Sequence, residues 1–458
     1  MVVGKFFKNI NQKNKNHHFS GLSFNSKKVK KNNIFFAIRG TKINANRYIK
    51  EAIKKGATTV VSNLDFQGLK NSILYIKSNN SRKLLSEVAS KFYKDKPKNL
   101  IAVTGTNGKS SIADFYFQIL NLNNKKVASI GTLGINTYLK KTEVKNTTLD
   151  PISLNYHLKK IKKLNINNII LEASSHGLKQ NRLDGLKFDV GIFSNLSHDH
   201  LDYHKSYKDY LNSKLYLFEK LLKKKSTIIT DFNIPEYKRI KNISLKKKTK
   251  LITILNKNSD LSVISHQYLE EKQLLKIKYK KNFYSFRLNL IGKTQVKNVL
   301  MAIIAATKSN IKIKKIINVL NKIKPVHGRM EKVGTINNNS CVILDYAHTP
   351  EALLTCLQNV RDQFKTRKIS IVFGCGGDRD KFKRPIMGKI TNKYCDKIYL
   401  TDDNPRFENP KNIRLAIKKK INQSKLFEIS KRERAIEKAI KNLNTGEILV
   451  VAGRGHET

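Results

Sequence analysis

Short apolar runs separated by polar or glycine- and proline-bearing stretches punctuate this chain, and between many of them apolar residues recur at helical spacing. In the first part, runs at 34–38, 58–62 and 73–76 predict strands, and 49–55 predicts a helix between the first two. The polar segment 94–99, which carries Pro97, marks the end of this unit. Runs at 127–130, 169–172, 190–194 and 227–230 then alternate with helical segments, the pattern of a mostly parallel sheet covered on both faces. Runs at 274–279 and 283–290, joined by Lys280, Lys281 and Asn282, predict an antiparallel hairpin at its edge. Beyond Lys324 and Pro325 the alternation resumes at 342–345, 369–374, 398–401 and 448–452. The expected fold class is therefore α/β in three domains: a small α/β domain over 1–95, a central mostly parallel-sheet domain over 96–324, and a Rossmann-like domain over 325–458.

The central domain opens on TGTNGKSS, Thr104 to Ser111. An apolar run at 100–103 precedes it, and Ile112, Phe115, Ile119 and Leu122 follow at helical spacing. That order is strand, glycine turn, helix. Gly105 and Gly108 let the backbone bend and turn its N–H groups, with those of Thr106 and Asn107, toward a phosphate, and the new helix presents its positive end there. Lys109 supplies a point charge for the β/γ-phosphates of ATP, and the Ser110 hydroxyl a ligand for Mg²⁺, with Ser111 next to it. The longer phosphate-loop pattern wants a further glycine where Val103 stands, so this is the shorter GTxGKS form, and the central mostly parallel-sheet domain is expected to be P-loop ATPase-like.

The net charge of +56, from 90 Lys+Arg against 34 Asp+Glu, would ordinarily point to nucleic acid. The lysines are spread through the whole chain instead of lying in one stripe, which reads as compositional habit, so no nucleic-acid partner is expected. The positive field would still attract phosphate- and carboxylate-bearing substrates. The four cysteines, Cys341, Cys356, Cys375 and Cys395, have no CxxC spacing, so neither a disulfide framework nor a zinc site is indicated. Nothing reads as a signal peptide or membrane span, and a cytoplasmic, monomeric protein with no membrane insertion is expected.

Further polar residues fall just past strand ends, where ligands of open α/β sheets gather. Glu172 closes IILE and is placed to hold a metal ion. HDHLDYH follows the strand at 190–194, and its spacing fits a Mg²⁺ contact from His200 better than a closed zinc site. In the last third, HGRM, DYAHTP, FGCGGDRD, DDNPR and GRGHE all follow or flank predicted strands. Arg379 could grip an anion with two parallel N–H groups, and arginines beside acids suit a zwitterionic substrate.

With these segments on the page, the chain resembles the Mur ligase family. TGTNGKSS, EASSHG, HDHLDYH with Lys214 downstream, HGRME, DYAHTPEAL, FGCGGDRDKFKRP, TDDNPR and a late GHE occur in order, from about Phe24 onward. The resemblance implies an ATP- and Mg²⁺-dependent amide ligase of peptidoglycan precursor synthesis. It would join meso-2,6-diaminopimelate to the D-Glu of UDP-N-acetylmuramoyl-L-Ala-D-Glu through an acyl phosphate. It implies catalytic and metal-holding roles for Lys109, Ser110, Glu172, His200 and Lys214, the last carbamylated. Asn298, Arg329 and Asp345 would contact ATP. Phe24, Ser26, 41–43, Asn146, Thr147, Thr148, Ser174, Gln180 and Arg182 would hold the UDP-sugar dipeptide. Arg379, Asp403, Asn404, Pro405, Arg406, Gly453 and Glu457 would hold diaminopimelate, with Arg406 pairing to the second carboxylate that lysine lacks.

Several positions depart from the family pattern: Asn25 stands for a usual aspartate, Leu149 for proline or glycine, Thr294–Gln295 for Phe-Asn and Arg454 for lysine. Relatives continue past the GHE motif, so the expectation is a clipped chain or a third domain lacking its last element. Alternatives are a related ligase adding L-lysine, a folate polyglutamate-type ligase, a nucleic-acid-stimulated ATPase and a catalytically disabled binding protein. The folate reading gives no reason for the first domain or for DNPR. An ATPase of that kind would need cations clustered with aromatics in one groove.

Overall fold

The computed structural model describes residues 1–8, 10–40, 45–197, 199–200, 203–336 and 339–455. The chain divides into two compact units. One comprises Met1–Ala102, Lys126–Gly191 and Ser213–Ser226, and the other Val103–Lys125, Ile192–Asn212 and Thr227–Thr458.

In the first unit a five-stranded sheet runs in the order Gly21–Ser23, Asn33–Phe36, Ala57–Ser62, Ile73–Lys77, Gly68–Lys70, with only the last strand antiparallel. Alternate residues of Asn33–Phe36 feed opposite faces. Ile34 and Phe36 join a cluster with Phe19, Leu74 and Val88, while Phe35 joins Ile49, Ala52 and Val60. The helix Ser81–Phe92 was not among the expected elements, although Leu85, Val88, Ala89 and Phe92 recur in it at helical spacing. Asn80 starts it by accepting a bond from the Lys83 N–H at 3.0 Å. The same unit holds Val127–Gly131 between the parallel Asn168–Glu172 and the antiparallel Gly134–Thr137. The helix Pro151–Lys163 begins with proline in its first turn and Asp150 as cap.

In the second unit the helix Lys109–Leu122 lies beside Lys293–Thr307, and the Tyr116 and Ser309 hydroxyls meet at 2.7 Å. The expected hairpin is present as Lys272–Tyr279 and Asn282–Leu288, and Leu261–Leu269 pairs antiparallel with the first of these to make a three-stranded meander. A bulge between Val263 and Ser265 breaks the two-residue alternation of that extra strand, which is why the sequence pattern hid it. The strand ending at Asp231 starts at Leu222, not at 227. Lys223, which belongs to the first unit, is 40 % exposed and places its amine 2.7 and 2.8 Å from the Asp189 carboxylate.

A six-stranded sheet completes the second unit, in the order Glu331–Thr335, Cys341–Asp345, Ile448–Ala452, Ile369–Phe373, Lys397–Leu400, Leu426–Glu428. Only the first strand is antiparallel. The carboxyl ends of its parallel strands therefore deliver 345–350, 374–380, 401–408 and 452–455 to one rim. The four cysteines are free and buried, and among the described residues no helix is long and apolar enough to cross a membrane.

Candidate active site

The glycine loop leaves the strand Asn99–Thr104 and enters the helix Lys109–Leu122 with Gly108 as N-cap at φ 85°. Its backbone is tied down from one side by the segment after Phe193. The Thr106 N–H donates to the Asn195 carbonyl at 3.0 Å, and the Asn107 N–H to Asn195 Oδ1 at 2.9 Å. Ser194 Oγ and Asn195 Nδ2 donate to the Asn107 carbonyl at 2.6 and 3.1 Å. The Thr106 hydroxyl meets Tyr210 OH at 3.0 Å and accepts from the Ser197 N–H at 2.9 Å. Lys109 Nζ curls back over the loop to the carbonyls of Gly105 and Thr106, at 2.9 and 2.7 Å. Both glycines are required: a Cβ at Gly105 would lie 1.9 Å from Ser194 Oγ, and one at Gly108 2.6 Å from Asn298 Oδ1.

Asn298 is thus set against the loop. Its amide donates to Gln295 Oε1 at 3.2 Å, and Gln295 Nε2 donates to the Arg329 carbonyl at 3.0 Å. The Arg329 guanidinium lies over the Tyr346 ring, 4.1 Å from its centroid. The Asp345 carboxylate accepts from the Met330 and Ala347 N–H groups at 2.8 and 2.9 Å. Burial raises its pKa, with Arg329 and those two N–H groups acting the other way. His200 adopts φ 55° and its ring lies 3.4 Å from Asp199. Ser110 and Ser111, both buried, begin the helix.

The first unit holds a second set. The buried Glu172 accepts from the Thr132 N–H at 2.8 Å through Oε1 and from the Thr132 hydroxyl at 3.2 Å through Oε2. Thr132 Oγ1 meets Thr147 Oγ1 at 2.9 Å. Thr148 Oγ1 donates to the Glu172 carbonyl at 2.8 Å and meets Ser174 Oγ at 3.0 Å. Arg182 donates to the Thr148 carbonyl at 2.6 Å and to Gln180 Oε1 at 3.0 and 2.8 Å. Thr147, Thr148, Ser174, Gln180 and Arg182 are therefore one hydrogen-bonded group around Glu172, while Asn146 is exposed beside it. Lys214 is 1 % exposed. Elsewhere in this unit Phe24 is exposed, and the Ser26 hydroxyl donates to Glu51 at 2.9 Å. Residues 41–43 lie outside those described.

On the six-stranded rim, Arg454 Nε donates to Asp403 Oδ1 at 3.1 Å, and a Cβ at Gly453 would stand 3.4 Å from Asp403 Oδ2 and 3.9 Å from Arg432 Nη2. Burial lowers the Arg432 pKa, and Asp403 opposes the shift. The Asn404 carbonyl accepts from the Gly377 N–H at 2.9 Å, and Arg406 Nη1 donates to the Gly377 carbonyl at 2.6 Å. A Cβ at Gly377 would be 1.9 Å from the Pro405 carbonyl oxygen. Arg379 is exposed on the same loop, and Glu457 lies outside the described residues. Reading motifs alone passed over Thr132, Tyr210 and Arg432, which carry no motif; Asn195, Arg384 and Glu408 sit inside or beside quoted motifs without having been singled out.

A strand–glycine loop–helix cradle with a back-folded lysine, joined in one chain to an arginine- and acid-rich rim, defines a nucleotide-binding enzyme that handles a charged substrate. Residues 103–306 match the Mur ligase middle domain, and 328–455 match the Mur ligase glutamate ligase domain. The chain is 38 % identical over 455 residues to a Rickettsia prowazekii (strain Madrid E) protein named UDP-N-acetylmuramoyl-L-alanyl-D-glutamate--2,6-diaminopimelate ligase, covering 98 % of this chain and 93 % of that one. A Chelativorans sp. (strain BNC1) protein of the same name is 36 % identical, covering 96 % and 90 %. A solved structure of a ligase of that name superposes with TM-score 0.76 at 28 % identity, covering 100 % of this chain and 94 % of the other. The chain belongs to the Mur ligase family. A Mycobacterium tuberculosis folylpolyglutamate synthase shares the fold, with TM-score 0.67 at 15 % identity, covering 81 % and 92 %.

Proposed function

We propose that this chain is a cytoplasmic ATP-dependent ligase that joins meso-2,6-diaminopimelate to the D-glutamate carboxylate of UDP-N-acetylmuramoyl-L-Ala-D-Glu. The observation that carries the reading is similarity over 98 % of the chain to proteins bearing that activity in their name. The runner-up adds L-lysine in place of diaminopimelate.

In this reading a carboxylate oxygen of the substrate attacks the γ-phosphorus of ATP, ADP leaves, and the acyl phosphate forms. The free amine then attacks the acyl carbon, phosphate leaves with its electron pair, and the amide remains once the nitrogen has shed its proton. Phosphoryl transfer asks for alignment and charge neutralisation. The Thr106 and Asn107 N–H groups are taken by Asn195, so the loop N–H groups from Gly108 onward and the Lys109 amine, swung off the Gly105 and Thr106 carbonyls, would supply both, and Asn298 with Arg329 and Asp345 would orient the nucleotide. Thr147, Thr148, Ser174, Gln180 and Arg182 would position the sugar-peptide, and Phe24 and Ser26 the uridine end. Arg379, Asp403, Asn404, Pro405, Arg406, Gly453 and Glu457 would receive the amino acid. The domain division 1–95, 96–324 and 325–458 belongs to the same proposal, the three parts serving UDP-sugar, ATP and amino acid.

Mg²⁺ is the implied metal. Ser110 offers a hydroxyl, Glu172 a buried carboxylate and His200 an imidazole, a set rich in hard donors. Among the described residues no group of three or more His, Cys, Asp or Glu side chains is assembled around a metal position. Bound there, Mg²⁺ would neutralise charge on the transferring phosphoryl group. Lys214, nearly inaccessible, would act as a carbamate in organising it. The test is phosphate release by the purified chain with ATP and UDP-N-acetylmuramoyl-L-Ala-D-Glu, adding meso-diaminopimelate, L-lysine or neither. Release with diaminopimelate and little with lysine is expected; release with lysine alone selects the runner-up, and release with neither sinks the ligase reading.

A further inference from the structure

Two loops of the rim are locked together by a residue outside the substrate-binding set. The loop 374–380 follows Ile369–Phe373, and the loop 401–408 follows its parallel neighbour Lys397–Leu400. Glu408 Oε1 accepts the Asp378 N–H at 2.6 Å, and both Glu408 oxygens accept from Arg384 Nη2, at 2.9 and 3.0 Å. Asp378 Oδ2 in turn accepts the Phe407 N–H at 3.0 Å. Asp378 directly precedes Arg379, and Phe407 directly follows Arg406, so both arginines hang from backbone that this carboxylate ties down, beside the bond from the Gly377 N–H to the Asn404 carbonyl. Asp378 and Arg406 each sit at φ 51°, a left-handed conformation that costs an arginine about 1 kcal/mol and an aspartate less.

Apolar packing does not hold that backbone. Phe382 and Phe407, the aromatic side chains next to the lock, are 85 % and 100 % exposed. The pair itself is enclosed, with side-chain exposures of 4 % for Arg384 and 16 % for Glu408. The Arg384 guanidinium and the Asp378 N–H hold the Glu408 carboxyl down at about 2, so it is ionised at any working pH.

We propose that Glu408, braced by Arg384, is a positioning residue that sets selectivity for a dicarboxylic diamino acid over a monocarboxylic one by fixing the separation of Arg379 and Arg406. This rests on the function proposed above. A guanidinium grips a carboxylate bidentately only when its plane is held, and Arg406 already spends Nη1 on the Gly377 carbonyl. Loosening the lock should therefore cost the substrate with the extra carboxylate and leave lysine and ATP nearly untouched.

The experiment measures kcat and KM for meso-diaminopimelate, L-lysine and ATP in the wild-type enzyme, Glu408→Gln and Glu408→Asp, with a thermal melt of each. The expected result is a rise of about ten- to hundredfold in KM for diaminopimelate, as for a lost charge-assisted contact, with KM for ATP unchanged within about twofold. The ratio of kcat/KM for diaminopimelate over lysine falls with it. Glu408→Asp keeps the charge that Arg384 needs, so it folds even if the glutamine variant, leaving a buried cation unpaired, does not. A merely structural role would lower the active fraction, hence kcat, and leave every KM and the substrate ratio alone; that outcome in the aspartate variant overturns the proposal. A wild-type enzyme silent with diaminopimelate overturns the function itself, and this inference with it. An active wild type with unaltered variants overturns only the inference.

Discussion

Gly108→Ala tests whether the phosphate loop is held by the contact with Asn298 or merely by its own turn. Gly108 caps the loop helix at φ 85°, which costs an alanine about 1 kcal/mol. The new Cβ would also stand 2.6 Å from Asn298 Oδ1. Asn298 cannot easily retreat, because it is buried on the helix Lys293–Thr307 and its amide is bonded to Gln295. Displacing it gives up that bond, at about 1–2 kcal/mol. The sum is about 2–3 kcal/mol, and whatever part is relieved by unseating the loop appears in ATP affinity, up to about 30- to 140-fold in KM. Gly446→Ala is the control. It carries the same left-handed backbone, φ 72°, but its Cβ would meet nothing closer than Arg367 Nε at 4.0 Å. It should lose about 1 kcal/mol of stability and leave KM for ATP alone. Initial rates of phosphate release against ATP concentration, with melts of all three proteins, decide the matter. If Gly108→Ala keeps KM for ATP within about twofold of wild type, or if the control raises it equally, the reasoning from Asn298 is wrong.

Lys109→Ala should abolish turnover while its melting temperature stays close to that of the wild type, and a retained rate would remove Lys109 from the reaction. Burial holds the His348 pKa below the ordinary histidine value, with the Tyr346 carbonyl and Asp199 acting the other way. Such a group is neutral in both states above about pH 6.5, and as the pH falls below that the unfolded chain takes up the proton first, so stability drops. His348→Gln should therefore melt with less loss between about pH 7 and pH 5 than wild type; His157 and His266, also lowered by burial, keep some slope. Burial raises all four cysteine thiols, Cys341 and Cys375 to about 11. Native protein should thus show no fast reaction with a thiol reagent, and four equivalents only after denaturation.

The strands of both units were legible because parallel sheets are written as near-continuous apolar runs, as at 127–130, 169–172, 369–374 and 448–452, broken only by Ser129, Ser370 and the closing Glu172. The helix Ser81–Phe92 was passed over although Leu85, Val88, Ala89 and Phe92 recur at helical spacing, whereas Leu261–Leu269 was hidden by its bulge. At the site, motif spacing found the glycine loop and the DNPR turn. It could not find Thr132, whose backbone N–H and hydroxyl both serve Glu172, because a backbone donor leaves no trace in residue type. Nor could it find Glu408, whose partners at Asp378 and Arg384 come from a different loop and helix.

The two ends of the proposed reaction are held by different physics, and this decides how each will respond to mutation. The nucleotide side is built of backbone bonds and close glycine contacts: Gly105 against Ser194, Gly108 against Asn298, Thr106 and Asn107 against Asn195. Such a cradle is insensitive to salt and intolerant of any added carbon. The amino-acid side is built of charge: Glu408 with Arg384, Asp403 with Arg454, Arg414 with Asp402 and Glu428. Partly exposed pairs of that kind weaken with ionic strength, while the enclosed Glu408–Arg384 pair is screened least. Raising the salt should therefore raise KM for the amino acid before it raises KM for ATP beyond the screening of its own phosphates. The same added salt should leave the arginine spacing intact, because the one pair that sets it is the one water reaches least.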